Sequence, residues 1–158
     1  MSVRLDSVKA FVENPIFLSS ISSWLFAQLV KAVVALLRSH KSTAREILET
    51  VAWRTGGMPS SHAALVSAMA ASAAIREGIG SNLFVVSFLI AIIVMRDAMG
   101  VRRSAGLQAR ALNTIGRILA ERMGIEFHPV KEVHGHAPLE VVIGALLGIF
   151  IAAAYAYL

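Results

Sequence analysis

The stretch from His136 to Ile149 decides the fold, and its sequence is HAPLEVVIGALLGI. A polar opening runs directly into an apolar segment that continues to Leu158 without another charge. About 20 apolar residues are enough to cross the hydrocarbon core of a bilayer. His136 and Glu140 lie four positions apart, so they are neighbours on one helix face, and the carboxylate can fix which imidazole nitrogen carries the proton. The stretch therefore predicts a membrane helix with an ionisable pair at its surface end.

The composition of the chain also indicates a membrane protein. The chain has 158 residues, of which 56% are hydrophobic and 16% charged, whereas an average soluble domain is roughly 25% charged. We therefore expect a membrane protein with one domain, residues 1–158. The absence of Cys excludes disulfides, thiolate catalysis and cysteine metal sites. The first 14 residues have no short apolar core before a cleavage site, so we expect no signal peptide.

Charges used as boundaries divide the chain into apolar segments at residues 16–37, 61–75, 83–99 and 139–158. The two middle segments are short, and we expect the longer helices to shelter them. Residues 104–124 repeat apolar side chains at helical spacing and carry arginines elsewhere, which favours an amphipathic helix in the interface; a helix packed on the end of the bundle is the alternative. The predicted fold is all-α, a small integral membrane bundle of about four transmembrane helices with a cytoplasmic amphipathic helix. So small a bundle would gain from pairing as a homo-oligomer.

The distribution of Lys and Arg predicts the orientation. If the four segments all cross, three of these residues fall on one side and eleven on the other. The positive-inside tendency makes the richer side cytoplasmic, in the inner cell membrane, with both termini outside. The net charge of +5 then indicates attraction to anionic headgroups, and no nucleic-acid partner is expected.

The second apolar segment opens with the sequence GGMPSSH, residues 56–62. Gly57 allows a close approach of the backbone, and Ser60 or Ser61 is a suitable helix N-cap. Free N–H groups and the positive end of the helix dipole attract phosphate at such a start, and His62 lies in its first turn. A capping turn with an incidental histidine is the simpler alternative.

Cations converge on the same predicted end of the bundle. Lys31 and Arg38 share a face of the first helix, and a lysine inside an apolar span must face a polar interior or snorkel. The pair Arg102 and Arg103 follows the third segment, and His136 precedes the fourth. Polar groups from several segments meeting at one membrane face indicate an anion site.

These motifs resemble the type 2 phosphatidic acid phosphatase superfamily, and in detail its divergent branch, the acid phosphatase/vanadium-dependent haloperoxidase-related membrane proteins. Lys31 and Arg38 have the spacing of its first motif, residues 59–62 match its second with Ser61 in place of Gly, and His136 with Glu140 has the final spacing with Glu in place of Asp. The blocks that match the branch are residues 56–62, 97–103 and 135–141. No Pro follows Arg38, and 32 residues separate Arg103 from His136 where the superfamily has a short spacer.

The resemblance implies a membrane phosphatase that hydrolyses a lipid or isoprenoid phosphate or diphosphate, without metal or cofactor. His136 would be the nucleophile that forms a phosphohistidine, with Glu140 orienting it and His62 as general acid and base. The phosphate-binding residues implied are Lys31, Arg38, Gly57, Ser60, Ser61, Arg102 and Arg103. Asp97 is expected to pair with one of the two adjacent arginines and so support the site.

Two other interpretations of the same residues are open. Asp97, His128, His134 and His136 offer a histidine and carboxylate set of the kind that binds zinc, which would make the protein a metal-dependent hydrolase. A non-catalytic membrane module that binds a phosphorylated lipid or a partner protein would use the same cationic end of the bundle.

Overall fold

The computed structural model describes residues 2–38, 57–132 and 135–157. All regular structure in these ranges is helical, and the helices are α1 (Ser2–Val12), α2 (Pro15–Arg38), α3 (Ser61–Glu77), α4 (Asn82–Met99), α5 (Val101–Met123) and α6 (Pro138–Ala156). The prediction of an all-α membrane bundle is confirmed. Three stretches of the described chain are long and apolar enough to cross a bilayer: Pro15–Val34, Asn82–Met123, of which α4 is the apolar part, and Pro138–Ala156. The 17-residue α3 is not among them.

Helix α1 is not predicted by the hydropathy pattern. This helix packs only against α2 among the described helices, through a ring contact between Phe11 and Phe17 whose centroids lie 4.6 Å apart. The break between the two helices is local. Asn14 Oδ1 accepts the Ile16 N–H at 2.9 Å and Pro15 occupies the first helical position, which are standard signals of a helix start.

The centre of the bundle is α3, which packs against α2, α4 and α6. Its residues Ala63, Ala64 and Ala68 are buried, and small side chains let helix backbones approach closely. The contact with α6 is so close that a Cβ added to Gly148 would lie 2.1 Å from the Ala64 carbonyl oxygen. The short apolar helix is therefore sheltered inside the bundle.

Hydrogen bonds show which ends of the helices meet. The Ser60 N–H donates to the Glu140 carbonyl at 3.0 Å, which joins the starts of α3 and α6. The His136 N–H donates to the Ala98 carbonyl at 3.1 Å, which adds the end of α4. Ser22 Oγ and Tyr155 Oη, 2.8 Å apart, join the start of α2 to the end of α6 at the opposite end. Helices α3 and α6 therefore run parallel to each other and antiparallel to α2 and α4, and the polar motifs share one end.

The long insertion after α4 folds back to its starting point. α5 ends at Gly124, which adopts the left-handed conformation with φ 66°. The following chain returns along α5, where the buried side chain of Asn113 bonds both backbone groups of Val130. At the base of the insertion, Gly135 lies so close to Arg103 that an added Cβ would be 2.3 Å from the Arg103 Cα. The arginine block and the histidine block are therefore adjacent in space despite their separation in sequence.

Candidate active site

The start of α3 forms one wall of the site. Ser60 is its N-cap and accepts the Ala63 N–H on its side chain at 3.4 Å, and its carbonyl accepts the Ala64 N–H at 3.0 Å. Because its own N–H is bonded to Glu140, Ser60 acts as a fully buried brace between helices. The cap uses neither the Ser61 nor the His62 N–H, and the first N–H groups of a helix project from its N-terminus. These two groups are the backbone donors that the helix start can offer to an anion.

Gly57 precedes this helix start on the exposed surface. Its φ of 84° lies in a region that side-chain-bearing residues rarely adopt. The glycine therefore serves the backbone turn that leads into the cap.

His136 is held by Glu140 in a defined orientation. Its Nδ1 lies 2.9 Å from Glu140 Oε2, and that oxygen also accepts the Ala137 N–H at 3.2 Å. When Glu140 is ionised it can only accept hydrogen bonds, so Nδ1 is the donor, and in the neutral ring Nε2 then carries the lone pair. The His136 side chain is buried, whereas Glu140 is partly exposed. This is the tautomer that an attacking imidazole requires.

Lys31 places a buried cation beneath the start of α3. The residue is 6% exposed, and its ammonium Nζ lies 3.4 Å from Ser61 Oγ. Glu140 also acts on this ammonium through its charge. Burying an ammonium is costly unless its charge is compensated. Within the described residues, the compensation shown is this long hydrogen bond and the charge of the partly exposed Glu140. The arrangement favours an additional anion at this position.

Asp97 pairs with Arg102 and orients it. Arg102 Nε lies 2.6 Å from Asp97 Oδ2 in a half-exposed ion pair. Arg103 instead packs its backbone against Gly135 at the base of the insertion. Of the two adjacent arginines, the structure therefore orients Arg102 through a carboxylate.

His62 lies in the first turn of α3, exposed at the polar end of the bundle and outside the three candidate spans. Its pKa is lowered from 6.5, first by desolvation and then by electrostatic interaction with Arg102, Lys31 and His136, while Asp97 acts in the opposite direction. His62 is therefore within electrostatic reach of the other polar groups of the site. A bound anion there would offset the repulsion and favour the protonated imidazole.

Some expected site residues are not placed. Residues 39–56, which include Gly56, and His134 lie outside the described residues, as does the side chain of Arg38 at the end of α2. His128 lies on the exposed segment that follows α5, with its Nε2 3.7 Å from Glu126 Oε1. Within the described ranges, no group of three or more His, Asp or Glu is arranged to hold a metal ion. The metal interpretation therefore depends on His134, for which the structure gives no position.

Sequence reasoning missed the backbone groups that assemble the site. The Ala98 carbonyl holds His136, and Gly144 packs so closely that an added Cβ would lie 2.3 Å from the Ser60 carbonyl oxygen. The spacing of Gly144 and Gly148 is a visible small-residue pattern that could have indicated this approach. The role of Ala98 could not be predicted, because its backbone carbonyl makes the contact and its side chain carries no polar group.

Comparisons with known proteins cover nearly all of the chain. Residues 12–151 match the group described as the divergent PAP2 family. A Bacillus subtilis (strain 168) protein described as the uncharacterized membrane protein YuiD is 37% identical over 151 residues, covering 89% of this chain and 92% of that protein. No solved structure matches. Every residue of the candidate site falls within the range that matches the family.

Proposed function

The chain belongs to the divergent PAP2 family, and we propose that it is a membrane phosphatase that hydrolyses a lipid or isoprenoid phosphate or diphosphate through a phosphohistidine. The observation that carries this proposal is the buried Lys31 ammonium beside the start of α3, where its hydrogen bond goes to Ser61. The oriented His136–Glu140 pair lies at the same end of the bundle. A buried cation and an imidazole whose Nδ1 is held by a carboxylate are two parts that phosphoryl transfer to histidine needs.

In the first step, His136 Nε2 attacks phosphorus and the bond from phosphorus to the leaving oxygen breaks. Glu140 stabilises the imidazolium that forms by holding its Nδ1 proton, as a carboxylate does in other catalytic imidazoles. His62, protonated when the phosphate is bound, donates its proton to the leaving oxygen. In the second step, His62 removes a proton from water, the oxygen bonds to phosphorus and the phosphorus–Nε2 bond breaks.

The non-bridging oxygens need compensation in both steps. Lys31, Arg102 and the backbone N–H groups of Ser61 and His62 are suited to supply it, since preorganised donors and cations are the main contributors to phosphoryl-transfer catalysis. Ser60 supports these groups as the cap. The proposal retains Arg38, Gly57 and Arg103 as expected contributors, and Asp97 as the residue that positions Arg102.

A phosphate-release screen of the detergent-purified chain across lipid and isoprenoid phosphates tests the proposal. His136→Ala is expected to lose both turnover and the acid-labile phosphoenzyme. His62→Ala is expected to accumulate phosphoenzyme with a good leaving group, because attack then needs little protonation while hydrolysis still needs the base. His128→Ala is the matched control, since this histidine lies exposed on the return segment, and it should behave as wild type.

The same screen separates the alternatives. Full activity in His136→Ala, or activity that disappears with chelator and returns with zinc, would contradict the histidine mechanism and favour a metal-dependent hydrolase. Anion binding without turnover on any substrate in the screen would favour the non-catalytic module.

We also propose that the site faces the cytoplasm, supported by the split of three against eleven Lys and Arg between the two sides. The chain contains no Cys, so single cysteines report cleanly. Ile79 is 76% exposed in the turn between α3 and α4, and Glu126 is exposed on the return segment at the site end. In intact cells, an impermeant thiol reagent should label Ile79→Cys and spare Glu126→Cys. The reverse labelling would place the site outside.

A further inference from the structure

We define the α5 hairpin as α5 together with the return segment, residues 124–132. One face of α5 is already occupied by this segment. Asn113 Nδ2 donates to the Val130 carbonyl at 2.9 Å and to Glu132 Oε1 at 3.0 Å, and Asn113 Oδ1 accepts the Val130 N–H at 2.9 Å. The Phe127 ring lies directly on Gly116, where it leaves no room for a Cβ. The polar side of this amphipathic helix is therefore covered by its own chain.

The opposite face of α5 is apolar and uncovered within the described chain. Among the described helices, α5 packs only against α4. The apolar side chains that repeat along this face are 47% to 66% exposed, and they are Leu107, Leu112, Ile115, Ile118, Leu119 and Met123. A continuous apolar row of this size is unusual on a surface that faces water. It indicates a surface made for an apolar or amphipathic environment.

The charges of the α5 hairpin identify that environment. Residues 101–132 contain six Lys and Arg against three Glu. Arg110 and Arg117 lie near the middle of α5, so this helix is not suited to cross the hydrocarbon core. Arg122 lies four residues after Ile118 on the apolar face itself. An interface with a second copy would bury that charge, whereas at a bilayer surface its long side chain can reach lipid phosphates.

We propose that the α5 hairpin docks on the anionic lipid surface at the end of the bundle that carries the candidate active site. The apolar face enters the boundary between headgroups and acyl chains, and the return segment faces water, as amphipathic interfacial helices do. Both ends of the hairpin are fixed at the site, through Gly135 against Arg103 and His136 against Ala98. Docking therefore holds the site at headgroup level. This inference is independent of the proposed phosphatase activity.

Fluorescence of the full-length protein in vesicles tests the docking. Ile115→Cys on the apolar face and Glu126→Cys on the return segment each take an environment-sensitive probe, which the absence of native Cys makes specific. Vesicles contain phosphatidylcholine alone or mixed with phosphatidylglycerol, with spin-labelled lipids quenching near the headgroup or near the chain end. We expect headgroup-level quenching at Ile115→Cys at least about threefold stronger than at Glu126→Cys, and stronger in the anionic mixture.

The charge dependence has its own variants. The double variant Arg117→Gln, Arg122→Gln should reduce the quenching in anionic vesicles to the level seen in phosphatidylcholine, as should high salt. Arg76→Gln, at the opposite end of the bundle, is the control and should not change it. Equal quenching in both lipid mixtures would overturn the anionic part of the proposal. A water-exposed probe at residue 115, or disulfide cross-linking of Ile115→Cys between copies, would overturn the docking itself.

Discussion

Replacing Lys31 with methionine should have opposite effects with and without a bound anion. Methionine has nearly the length and volume of lysine, so the packing beneath α3 is kept while the charge is removed. Lys31 is 6% exposed, and its ammonium has a 3.4 Å hydrogen bond to Ser61. The buried charge is therefore a cost to the empty protein and a gain to the anion-bound one.

Without anion, a buried ammonium with weak compensation costs folding free energy, so its replacement by an apolar side chain is expected to be neutral or stabilising. For a chain of this size, each kcal/mol corresponds to roughly 2–4 °C in Tm. We therefore expect Lys31→Met to unfold at the wild-type temperature or above it. The substitution also removes the attraction between Lys31 and Glu140, which reduces the expected gain in stability.

With an anion at about 100 times its Kd, wild type should gain about 2.7 kcal/mol, which is roughly 5–10 °C. Removing one partner of a buried charge contact costs about 2 kcal/mol or more, or about 30-fold in affinity. At the same anion concentration the gain of the variant then falls to about 0.9 kcal/mol, or roughly 2–4 °C.

Thermal unfolding of the detergent-purified protein, with and without tungstate, measures both effects. Tungstate is a tetrahedral dianion near neutral pH, and it is kept dilute so that it does not condense into polytungstates at the lower pH. The control is Lys9→Met, a lysine-to-methionine change at an exposed position in α1, which should change neither temperature. A Lys31→Met protein that is several degrees less stable without anion and retains the full tungstate shift would refute the reasoning.

Three further predictions follow from the same structure. Gly148→Ala places a Cβ 2.1 Å from a carbonyl oxygen of α3 and should lower the Tm by destabilising the protein by about 1–3 kcal/mol. The control Gly80→Ala adds a Cβ in open space and should leave the Tm unchanged. Equal Tm values for the two variants would exclude the close packing. Glu140→Gln keeps an oxygen that can accept both hydrogen bonds but loses the charge that stabilises the His136 imidazolium. Turnover should therefore fall at least about 100-fold with little change in Tm. Turnover near that of wild type would make the carboxylate purely structural. Because the pKa of His62 is lowered in the folded protein, the anion-free protein becomes less stable as the pH falls below 6.5. Bound tungstate favours the protonated ring, so the increase in Tm caused by tungstate should be larger near about pH 6 than near about pH 8. A His62→Gln variant that keeps this pH dependence would exclude His62 as its origin.

The sequence predicts those parts of the structure that depend on local spacing. The four-residue separation of His136 and Glu140 predicts their contact, and the structure has Nδ1 2.9 Å from Oε2. The serine-rich start of α3 predicts an N-cap, and the structure assigns it to Ser60. The all-α membrane bundle follows from hydropathy, because a bilayer permits few ways of satisfying backbone groups. In each case the interacting groups lie within one helical turn or one span.

What the sequence does not predict depends on contacts between distant segments. Asn113 resembles any polar residue on an amphipathic helix, yet it is buried against Val130 and fixes the return segment. The choice between Arg102 and Arg103 depends on where Asp97 and Gly135 lie, and neither position has a sequence period. The helix α1 lacks a strong apolar stripe, so hydropathy does not distinguish it from a loop.

The fold-back of the insertion explains how a long spacer between arginine and histidine is compatible with one site. In a free loop of 32 residues, the distance between the two ends would not be fixed, and bringing the ends together would cost chain entropy. Here the ends are joined directly, by Gly135 packed on the Arg103 backbone and by the His136 N–H bonded to Ala98. The position of His136 relative to the arginines is therefore set by contacts at the base, and the length of chain above the base can vary without moving it. This is why the divergent spacing does not by itself argue against a working phosphate site.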